Sequence, residues 1–349
     1  MNAIVFEDVK TLRLASVREP VVIDETDVIV EVAAAGICGS DLHPYRGLER
    51  GLDRGTIMGH EFTGRVVEAG RSVRGFGRGD RVVAPFTTSC GACRACSIGL
   101  TSRCVRGQLF GWVESGRGLH GAQAQLVRVP LADTTLVAVP EGMTDDGVAL
   151  LAGDVLATAL FAAELAGVQP GDVVGIIGCG PVGLLAVRAA LGRDAREVFA
   201  LDSVVSRLEL AERFGAVPVR VDVTDAIERV RERTGGHGVD RVIEAVGSPQ
   251  ATRTAAAIVR TGGAIAAVGV HTEPHLALSP GEIYDRNLTY AAGRCPARRL
   301  LPAALDVARR DARLLAGLIS HRLPLSEGVD AYRRLAAREE GWAKVVLTP

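Results

Sequence analysis

The sequence lacks an excess of charge of either sign. Its 40 lysine and arginine residues are balanced by 41 aspartate and glutamate residues, which gives a formal net charge of −1 over 349 residues. Proteins that bind nucleic acids or anionic membranes through a global field carry a clear positive balance. The composition therefore predicts neither a nucleic-acid partner nor a membrane partner.

Patterns that address a chain to a membrane are also lacking. Residues 1–10 resemble a strand with early acids, without the basic start and apolar run of a signal peptide. The longest stretch of low charge, residues 173–187, is interrupted by glycine and proline and is shorter than the ~20 residues that a membrane helix needs. We therefore expect a cytoplasmic protein.

Repeats and low-complexity segments are absent, and 349 residues exceed the roughly 250–300 that one core fills. Up to residue 152, short β-branched runs alternate with turn residues, which predicts a mainly β, partly open barrel. From residue 153 to residue 293, apolar runs alternate with helical patterns, which is typical of a parallel sheet with crossover helices. Residues 294–349 leave this alternation and end in a predicted strand at 344–348. We expect an α/β protein with a discontinuous first domain (1–152 and 294–349) and a Rossmann domain (153–293).

Cysteine is scarce outside one short segment. Four of the seven cysteines form the pattern Cys90-x2-Cys93-x2-Cys96-x7-Cys104. An odd cysteine count with four residues clustered favours metal binding in a reducing compartment over disulfides. Four thiolates and no neighbouring acid or base predict a closed, structural zinc site. An iron–sulfur cluster and unmetallated thiols are the alternatives.

A second group of candidate metal ligands has mixed chemistry. Cys38 lies in a Gly-Ile-Cys-Gly-Ser-Asp segment, and His60 is followed by Glu61. A thiolate, an imidazole and a carboxylate suit zinc, and a catalytic zinc keeps three protein ligands and one open position. The third ligand is either Glu61 or Asp154. Taken alone, the Cys38–His60 pair is equally consistent with structural burial, and Asp154 with a helix N-cap.

A glycine-rich segment follows a predicted strand and opens a predicted helix. Its glycines permit a tight turn and a close approach of a pyrophosphate to the helix N-terminus. The predicted cofactor-binding residues of this loop are Gly178, Gly180, Pro181, Val182 and Gly183. Asp202 ends the next strand, where a carboxylate can bind ribose hydroxyls and repel a 2′-phosphate, which favours NAD over NADP. Arg207 could accept a 2′-phosphate, but we interpret it as packing on the adenine. The alternative for Asp202 is a helix cap.

Taken together, these motifs resemble the zinc-dependent medium-chain dehydrogenase/reductase family, which includes alcohol, sorbitol, threonine and formaldehyde dehydrogenases. The resemblance covers essentially the whole chain and implies a GroES-like catalytic domain. It implies that Cys38, His60 and Asp154 bind a catalytic zinc, with Glu61 beside the metal and coordinating it in some states. It also implies a second, structural zinc at the four cysteines.

The resemblance implies further roles near the cofactor. Ser40 and His43 match the family's proton relay, and Thr158 matches a position near nicotinamide. Four residues at strand ends are expected to line the cofactor crevice: Val246, Gly247, Gly269 and Val270. Small-molecule substrates and a homodimer or homotetramer are implied as well. The roles of Trp112, His120 and His271 stay open, and Cys179 and Cys295 are interpreted as spare thiols.

We therefore predict an oxidoreductase that transfers a hydride between an alcohol or polyol and NAD. One alternative is a dehydrogenase of a specialised sugar, cyclitol or secondary-metabolite intermediate. The other is a non-catalytic homologue that only binds NAD, which the full set of candidate ligands disfavours. Motifs give the reaction class, whereas pocket shape sets the substrate.

Overall fold

The computed structural model describes residues 1–222 and 225–349. The chain divides into two compact units. The first comprises Met1–Ala157 and Pro296–Pro349, and the second comprises Thr158–Cys295.

The first unit is mainly β. Its strands are β1 (Asn2–Asp8), β2 (Thr11–Ser16), β3 (Val28–Ile37), β4 (Phe62–Ala69), β5 (Arg81–Val83), β6 (Trp112–Glu114), β7 (Arg117–Leu119), β8 (Leu126–Val129), β9 (Val137–Ala138), β16 (Ile319–Pro324) and β17 (Lys344–Thr348). Its helices are α1 (Leu42–Tyr45), α2 (Arg94–Ser97), α3 (Ala132–Thr135), α4 (Asp146–Leu151), α11 (Ala297–Arg310), α12 (Ala312–Ala316) and α13 (Gly328–Ala336).

Seven strands of this unit form one sheet in the order β16-β17-β3-β4-β5-β9, with β8 also paired to β3. The predicted strand at 344–348 is confirmed as β17, which pairs antiparallel with β3. The core of the sheet contains Val30, Phe62 and Val82, each fully buried. A second apolar cluster packs Tyr332 of α13 against Ile4 of β1. The end of the chain is thereby built into the core of the unit in which the chain begins.

The second unit alternates strands with helices. Its strands are β10 (Val173–Ile177), β11 (Glu197–Asp202), β12 (Val217–Arg220), β13 (Val239–Glu244), β14 (Val259–Ala267) and β15 (Thr289–Ala292). Its helices are α6 (Pro181–Leu191), α7 (Val205–Arg213), α8 (Ala226–Arg233), α9 (Pro249–Ile258) and α10 (Pro280–Asp285), and α5 (Val155–Leu165) contains the division between the two units.

The six strands of the second unit form an entirely parallel sheet in the order β12-β11-β10-β13-β14-β15. The predicted parallel sheet is thus confirmed, and its last strand is β15. In open parallel sheets of this kind, ligands bind outside the carboxyl ends of the strands, where the strand order reverses. Here that point lies between β10 and β13.

Among the described residues, one helical region is long and apolar enough to match a membrane span by length and composition. It is Asp146–Leu165, with a mean hydropathy of 1.8, and 78% of its most apolar window is buried inside the protein. Such burial is typical of a core helix.

Candidate metal centres and dinucleotide loop

The four cysteines of the 90–104 segment converge on one point. Their sulfur atoms lie within 4.8 Å of one another, and the Sγ atoms of Cys93 and Cys104 are 3.9 Å apart. Two sulfurs of a tetrahedral zinc with Zn–S near 2.3 Å would be about 3.8 Å apart. The arrangement therefore fits a four-thiolate zinc site.

Backbone N–H groups donate to these sulfurs and lower the pKa of Cys90 and of Cys93, whereas burial raises the pKa of Cys96 to about 12. The N–H of Cys90 and the N–H of Arg106 both donate to Sγ of Cys104, at 3.2 and 3.4 Å. Backbone hydrogen bonds from Cys96 and Val105 lower the pKa of Cys93 to about 6. Thiolates are the form that binds metal, and no acid or base belongs to the cluster, so the site suits a structural ion.

The second cluster combines Cys38, His60, Glu61 and Asp154, whose candidate ligand atoms also lie within 4.8 Å of one another. Oδ2 of Asp154 is 3.4 Å from Sγ of Cys38 and 3.3 Å from Nε2 of His60. Cys38 follows the end of β3, His60 precedes β4, and Asp154 precedes α5. Three separate elements thus bring together the residues that sequence reasoning placed around one metal.

Asp41 bonds to both Cys38 and His60. Its Oδ2 accepts the backbone N–H of Cys38 at 2.9 Å, and its Oδ1 lies 3.0 Å from Nδ1 of His60. A carboxylate on one ring nitrogen fixes the tautomer and leaves Nε2 free for a metal. Sequence reasoning assigned no role to Asp41, although the general need of a ligand histidine for such a partner was a usable signal.

The ionisable groups of the second cluster are buried and shift one another's pKa values. Burial opposes protonation of His60, but the charge of Asp41 and the hydrogen bonds with Asp154 and Asp41 raise its pKa. Burial raises the pKa of Cys38, and the charges of Asp154 and Glu61 raise it further. For Asp154, burial opposes ionisation, but the hydrogen bond with His60, the charges of His60 and Lys344 and the hydrogen bond with Cys38 together outweigh it and lower the pKa to about 2. Buried anions are costly unless a cation neutralises them. A divalent metal at this point would supply that charge, so the donor set fits zinc.

Glu61 is held by a residue from the far end of the chain. Its side chain and that of Lys344 are both fully buried, and Nζ of Lys344 donates to Oε2 of Glu61 and to the carbonyl of Ile37 at 3.4 Å. Burial raises the pKa of Glu61 to about 7, even though Lys344 lowers it. Oε1 of Glu61 has no hydrogen-bond partner in the described part of the chain. Sequence reasoning missed Lys344, because nothing local marks a residue 283 positions away.

Ser40 lies beside the second cluster, with Oγ 3.2 Å from Nε2 of His60. His43 follows on α1, and burial lowers its pKa from 6.5. Within the residues that the structure describes, its buried Nδ1 has no hydrogen-bond partner. Near neutral pH, His43 is therefore an uncharged base with a free acceptor.

Two further residues, which sequence reasoning did not select, shape this site. The ring of Phe86 meets His60 edge to face, with 6.5 Å between ring centroids. Gln123 donates to the carbonyl of Gly36 and accepts from the hydroxyl of Tyr332, both at 3.0 Å. A Cβ on Gly59 would overlap the Gln123 side chain. This buried network supports the backbone on both sides of the candidate ligands.

The glycine-rich loop joins β10 to α6 as predicted. Gly178 has φ +88°, a conformation that favours glycine, and a Cβ on Gly183 would overlap the carbonyl of Gly178. Gly180 is the N-cap of α6 and Pro181 its first residue, where the missing N–H costs nothing. Val182 follows in the first turn. The α6 N–H groups are thus placed for an anion.

The Asp202 carboxylate lies at the carboxyl end of β11 and accepts two backbone hydrogen bonds. The donors are the N–H of Cys179 at 2.7 Å and the N–H of Val204 at 2.9 Å. Nη1 of Arg207 is 3.9 Å from the same carboxylate. Asp202 therefore fastens the glycine loop, in addition to any contact with a ligand.

Strand-end residues complete the picture of the second unit. Val246 and Val270 follow β13 and β14, and each is 46% exposed, which is unusual for valine at the end of a buried strand. The backbone of Gly269 packs on that of Gly247. Thr158 is buried on α5, one helical turn after Asp154.

The remaining singled-out residues lie elsewhere. Trp112 is in the β6–β7 hairpin, and Nδ1 of His120 accepts the N–H of Ile57 at 3.2 Å. Cys179 and Cys295 are buried and outside both clusters. His271 lies 3.0 Å from Glu244.

Comparison with known proteins places the chain in a family. The sequence model of the alcohol dehydrogenase GroES-like domain matches residues 24–141, and that of the zinc-binding dehydrogenase domain matches residues 181–310. Zinc-type alcohol dehydrogenase B of Aspergillus flavus is 41% identical over 340 residues, covering 95% of this chain and 78% of that protein. A probable zinc-binding alcohol dehydrogenase of Mycobacterium tuberculosis is 36% identical, covering 100% and 89%.

Among solved structures, the alcohol dehydrogenase of Thermus sp. ATN1 superposes with a TM-score of 0.94 at 34% identity, covering 100% of this chain and 99% of that one. The fold and the two matching family models define an oxidoreductase built from a GroES-like and a Rossmann domain. The chain belongs to the zinc-dependent medium-chain alcohol dehydrogenase family.

Proposed function

We propose that the protein is an NAD-linked dehydrogenase of alcohols or polyols that requires zinc. The observation that carries this proposal is the buried convergence of Cys38, His60 and Asp154, with Asp41 orienting the histidine. Three protein ligands of mixed type are what a catalytic zinc with one open position requires. The glycine loop at the carboxyl end of β10 supports binding of a dinucleotide in the same chain.

Each residue has a proposed part. Cys38, His60 through Nε2, and Asp154 would hold the catalytic zinc, and Glu61 would stand beside it with Lys344 as counter-ion. The four cysteines would hold the structural zinc. When bound, zinc supplies Lewis acidity that lowers the pKa of the alcohol, and NAD accepts the hydride. Thr158, Val246, Gly269 and Val270 are proposed to contact the nicotinamide half of the cofactor.

Proton removal is assigned to Ser40 and His43. The Ser40 hydroxyl lies next to His60 Nε2, so it is placed to accept a proton from an alcohol at the metal. His43 is the proposed final acceptor, because burial keeps its pKa low and its Nδ1 free.

NAD is proposed over NADP because Asp202 would repel a 2′-phosphate. Solved relatives do not decide the question: a Sinorhizobium meliloti dehydrogenase (28% identical) is bound to NADP, and an Escherichia coli CFT073 dehydrogenase (26% identical) is complexed with NADH. Asp202→Gly should raise the ratio of kcat/KM with NADP to kcat/KM with NAD. Because this variant also loosens Cys179, the ratio is the informative quantity. An unchanged ratio would remove Asp202 from cofactor selection.

The proposed substrate class includes polyols. A sorbitol dehydrogenase of Bacillus subtilis is 32% identical over 292 residues, covering 82% of this chain and 80% of that protein. A sugar, cyclitol or secondary-metabolite intermediate fits the same metal site. We further propose a cytoplasmic homodimer or homotetramer. None of the seven cysteines, all of which lie in the described part of the chain, forms a disulfide, which is consistent with a reducing compartment.

The test is NADH formation by the zinc-loaded protein with a panel of alcohols, polyols and cyclitols. We expect turnover with one substrate class, and loss of it in Cys38→Ser without loss of fold. Cys295→Ser is the matched control, because Cys295 is also buried but lies outside both metal clusters. Equal activity of Cys38→Ser and wild type would refute the catalytic-metal assignment.

A further inference from the structure

A buried carboxylate at the carboxyl end of β13 receives hydrogen bonds from two separate loops. Oε1 of Glu244 accepts the N–H groups of Val246 and Gly247, at 2.7 and 2.8 Å. Its Oε2 lies 3.0 Å from Nε2 of His271, in the loop after β14. The Glu244 side chain is 1% exposed, whereas that of His271 is 27% exposed. Glu244 therefore ties the loop after β13 to the loop after β14.

These two loops also pack directly against each other and against the glycine loop. A Cβ on Gly247 would overlap the backbone of Val270, and one on Gly178 would overlap the Val246 side chain. Gly247 and Gly178 both have positive φ, a backbone conformation that favours glycine. A larger residue at either position would therefore be strained as well as crowded. A shift of the loop after β14 would thus be transmitted to the loop after β13 and on to Gly178.

The imidazole of His271 is the side chain through which the loop after β14 bonds to Glu244. A buried carboxyl group is costly unless hydrogen-bond donors satisfy its oxygens, and loss of one donor leaves an oxygen desolvated without a partner. Without His271, Oε2 would lose that partner, and the loop after β14 would be held to Glu244 by backbone bonds alone: the N–H groups of Val268 and Gly269 donate to the Glu244 carbonyl, at 2.9 and 3.2 Å. Those bonds hold the start of the loop, whereas the bond to His271 lies beyond Val270 in the chain.

We propose that His271 is a positioning residue for the dinucleotide: through Glu244, it holds Val246 and Val270 in the arrangement that the cofactor requires. This inference rests on the proposed function, since it presupposes that the loops bind NAD. It assigns His271 an effect on cofactor affinity without a direct role in the chemistry at the metal.

The test compares His271→Leu, which cannot donate, with His271→Gln, whose side-chain amide can. NADH binding is titrated by fluorescence in the zinc-loaded protein. We expect the Kd for NADH to rise about tenfold in His271→Leu, on the scale of a lost hydrogen bond to a charged group, and to return towards wild type in His271→Gln. The KM for alcohol and the zinc content should stay unchanged. His275→Leu, an exposed histidine of the same loop, is the control.

The outcomes separate the two proposals. If wild type binds NADH and His271→Leu binds it equally well, the positioning role is refuted while the proposed function stands. If wild type itself does not bind NADH, the proposed function fails and the inference fails with it. Should His271→Leu not fold, His271→Asn takes its place: its amide is too short to reach Glu244, so wild-type affinity in that variant would also overturn the proposal.

Discussion

His43 illustrates how burial sets the chemistry available to a side chain. Its pKa falls below the 6.5 of a free imidazole, mainly because the charged form would lose hydration. The folded protein therefore keeps His43 neutral at pH values where a free histidine begins to protonate. A neutral ring can accept a proton during alcohol oxidation, and a charged ring cannot.

The pH dependence of alcohol oxidation follows from the downward direction of the His43 pKa shift. In wild type, His43 should protonate only below pH 6.5, so kcat should be lost as the pH falls through that lowered pKa. His43→Gln should lower kcat by roughly a hundredfold or more, the low end of what a positioned base contributes, and should remove that acid limb from the pH profile. Steady-state kinetics across pH measure both effects. His237→Gln, at an exposed position, should change neither; an unchanged profile in His43→Gln would exclude it from the relay.

At the same scale, sequence reasoning located the residues that carry their own chemistry in short motifs. The four cysteines were selected because four thiols at such spacings have few other uses. The Cys38–His60 pair was ambiguous by itself and gained its predicted role from the resemblance to a family. Asp41 and Lys344 were missed for different reasons. Asp41 lies in the Gly-Ile-Cys-Gly-Ser-Asp segment that was recognised in the sequence, but its role depends on its contact with Nδ1 of His60, which only the fold shows. Lys344 could be found only by asking what neutralises a buried Glu61, and that question arises once burial is known.

At the scale of elements, the β10–α6 loop is set by glycines with separable tasks. A Cβ on Gly183 would overlap a backbone carbonyl of the loop itself, whereas a Cβ on Gly180 would meet no protein atom within 4 Å. The fold itself therefore requires glycine at position 183. At position 180 the fold leaves room for a side chain, so a requirement for glycine there would come from a bound ligand.

The two alanine variants should consequently behave differently. Gly183→Ala should lower the thermal unfolding midpoint, because the turn must open to admit the methyl group. Gly180→Ala should lower the midpoint less, by the small cost of alanine at a helix N-cap, and should weaken NADH binding, because the methyl group would stand where a pyrophosphate approaches. Calorimetry and NADH titration on both proteins check this pair. Full NADH affinity in Gly180→Ala would contradict pyrophosphate binding at the loop.

Strand β17 brings a charge into the core as well as apolar side chains. Lys344 begins the strand, and the Glu61–Lys344 pair is completely buried. Removing one partner of such a pair is far costlier than removing both, because a lone charge is left without water.

Lys344→Met should therefore lower the free energy of unfolding by about 3–5 kcal/mol. The double variant Lys344→Met/Glu61→Gln should recover most of that loss. Arg71→Met breaks the exposed Arg71–Glu25 pair and should change stability little. Urea unfolding of the zinc-loaded proteins measures all three. A Lys344→Met protein as stable as the Arg71→Met protein would show that Lys344 does not neutralise Glu61 in solution.

At the scale of the whole molecule, the hydrophobic periodicity of the sequence was sufficient to predict the architecture of the second unit and predicted that of the first only in part. Alternating apolar runs and helical patterns identify β10 to β15, since each buried parallel strand is a short apolar run. The pairing of β17 with β3 is a long-range contact, so the pattern predicted the strand at 344–348 and its return to the first domain without identifying its partner strand. The second metal cluster has the same limit, because its ligands come from three elements. The residues alone left Glu61 and Asp154 open as third ligand, the family resemblance indicated Asp154, and the fold places Asp154 beside Cys38 and His60.

The most direct test of the central claim is NADH formation from an alcohol substrate by one preparation in three states: zinc-loaded, stripped with a chelator, and reloaded with zinc. The account predicts that activity is lost on stripping and returns on reloading, with two zinc ions per chain in the active states. Undiminished NADH formation by the stripped protein would contradict it.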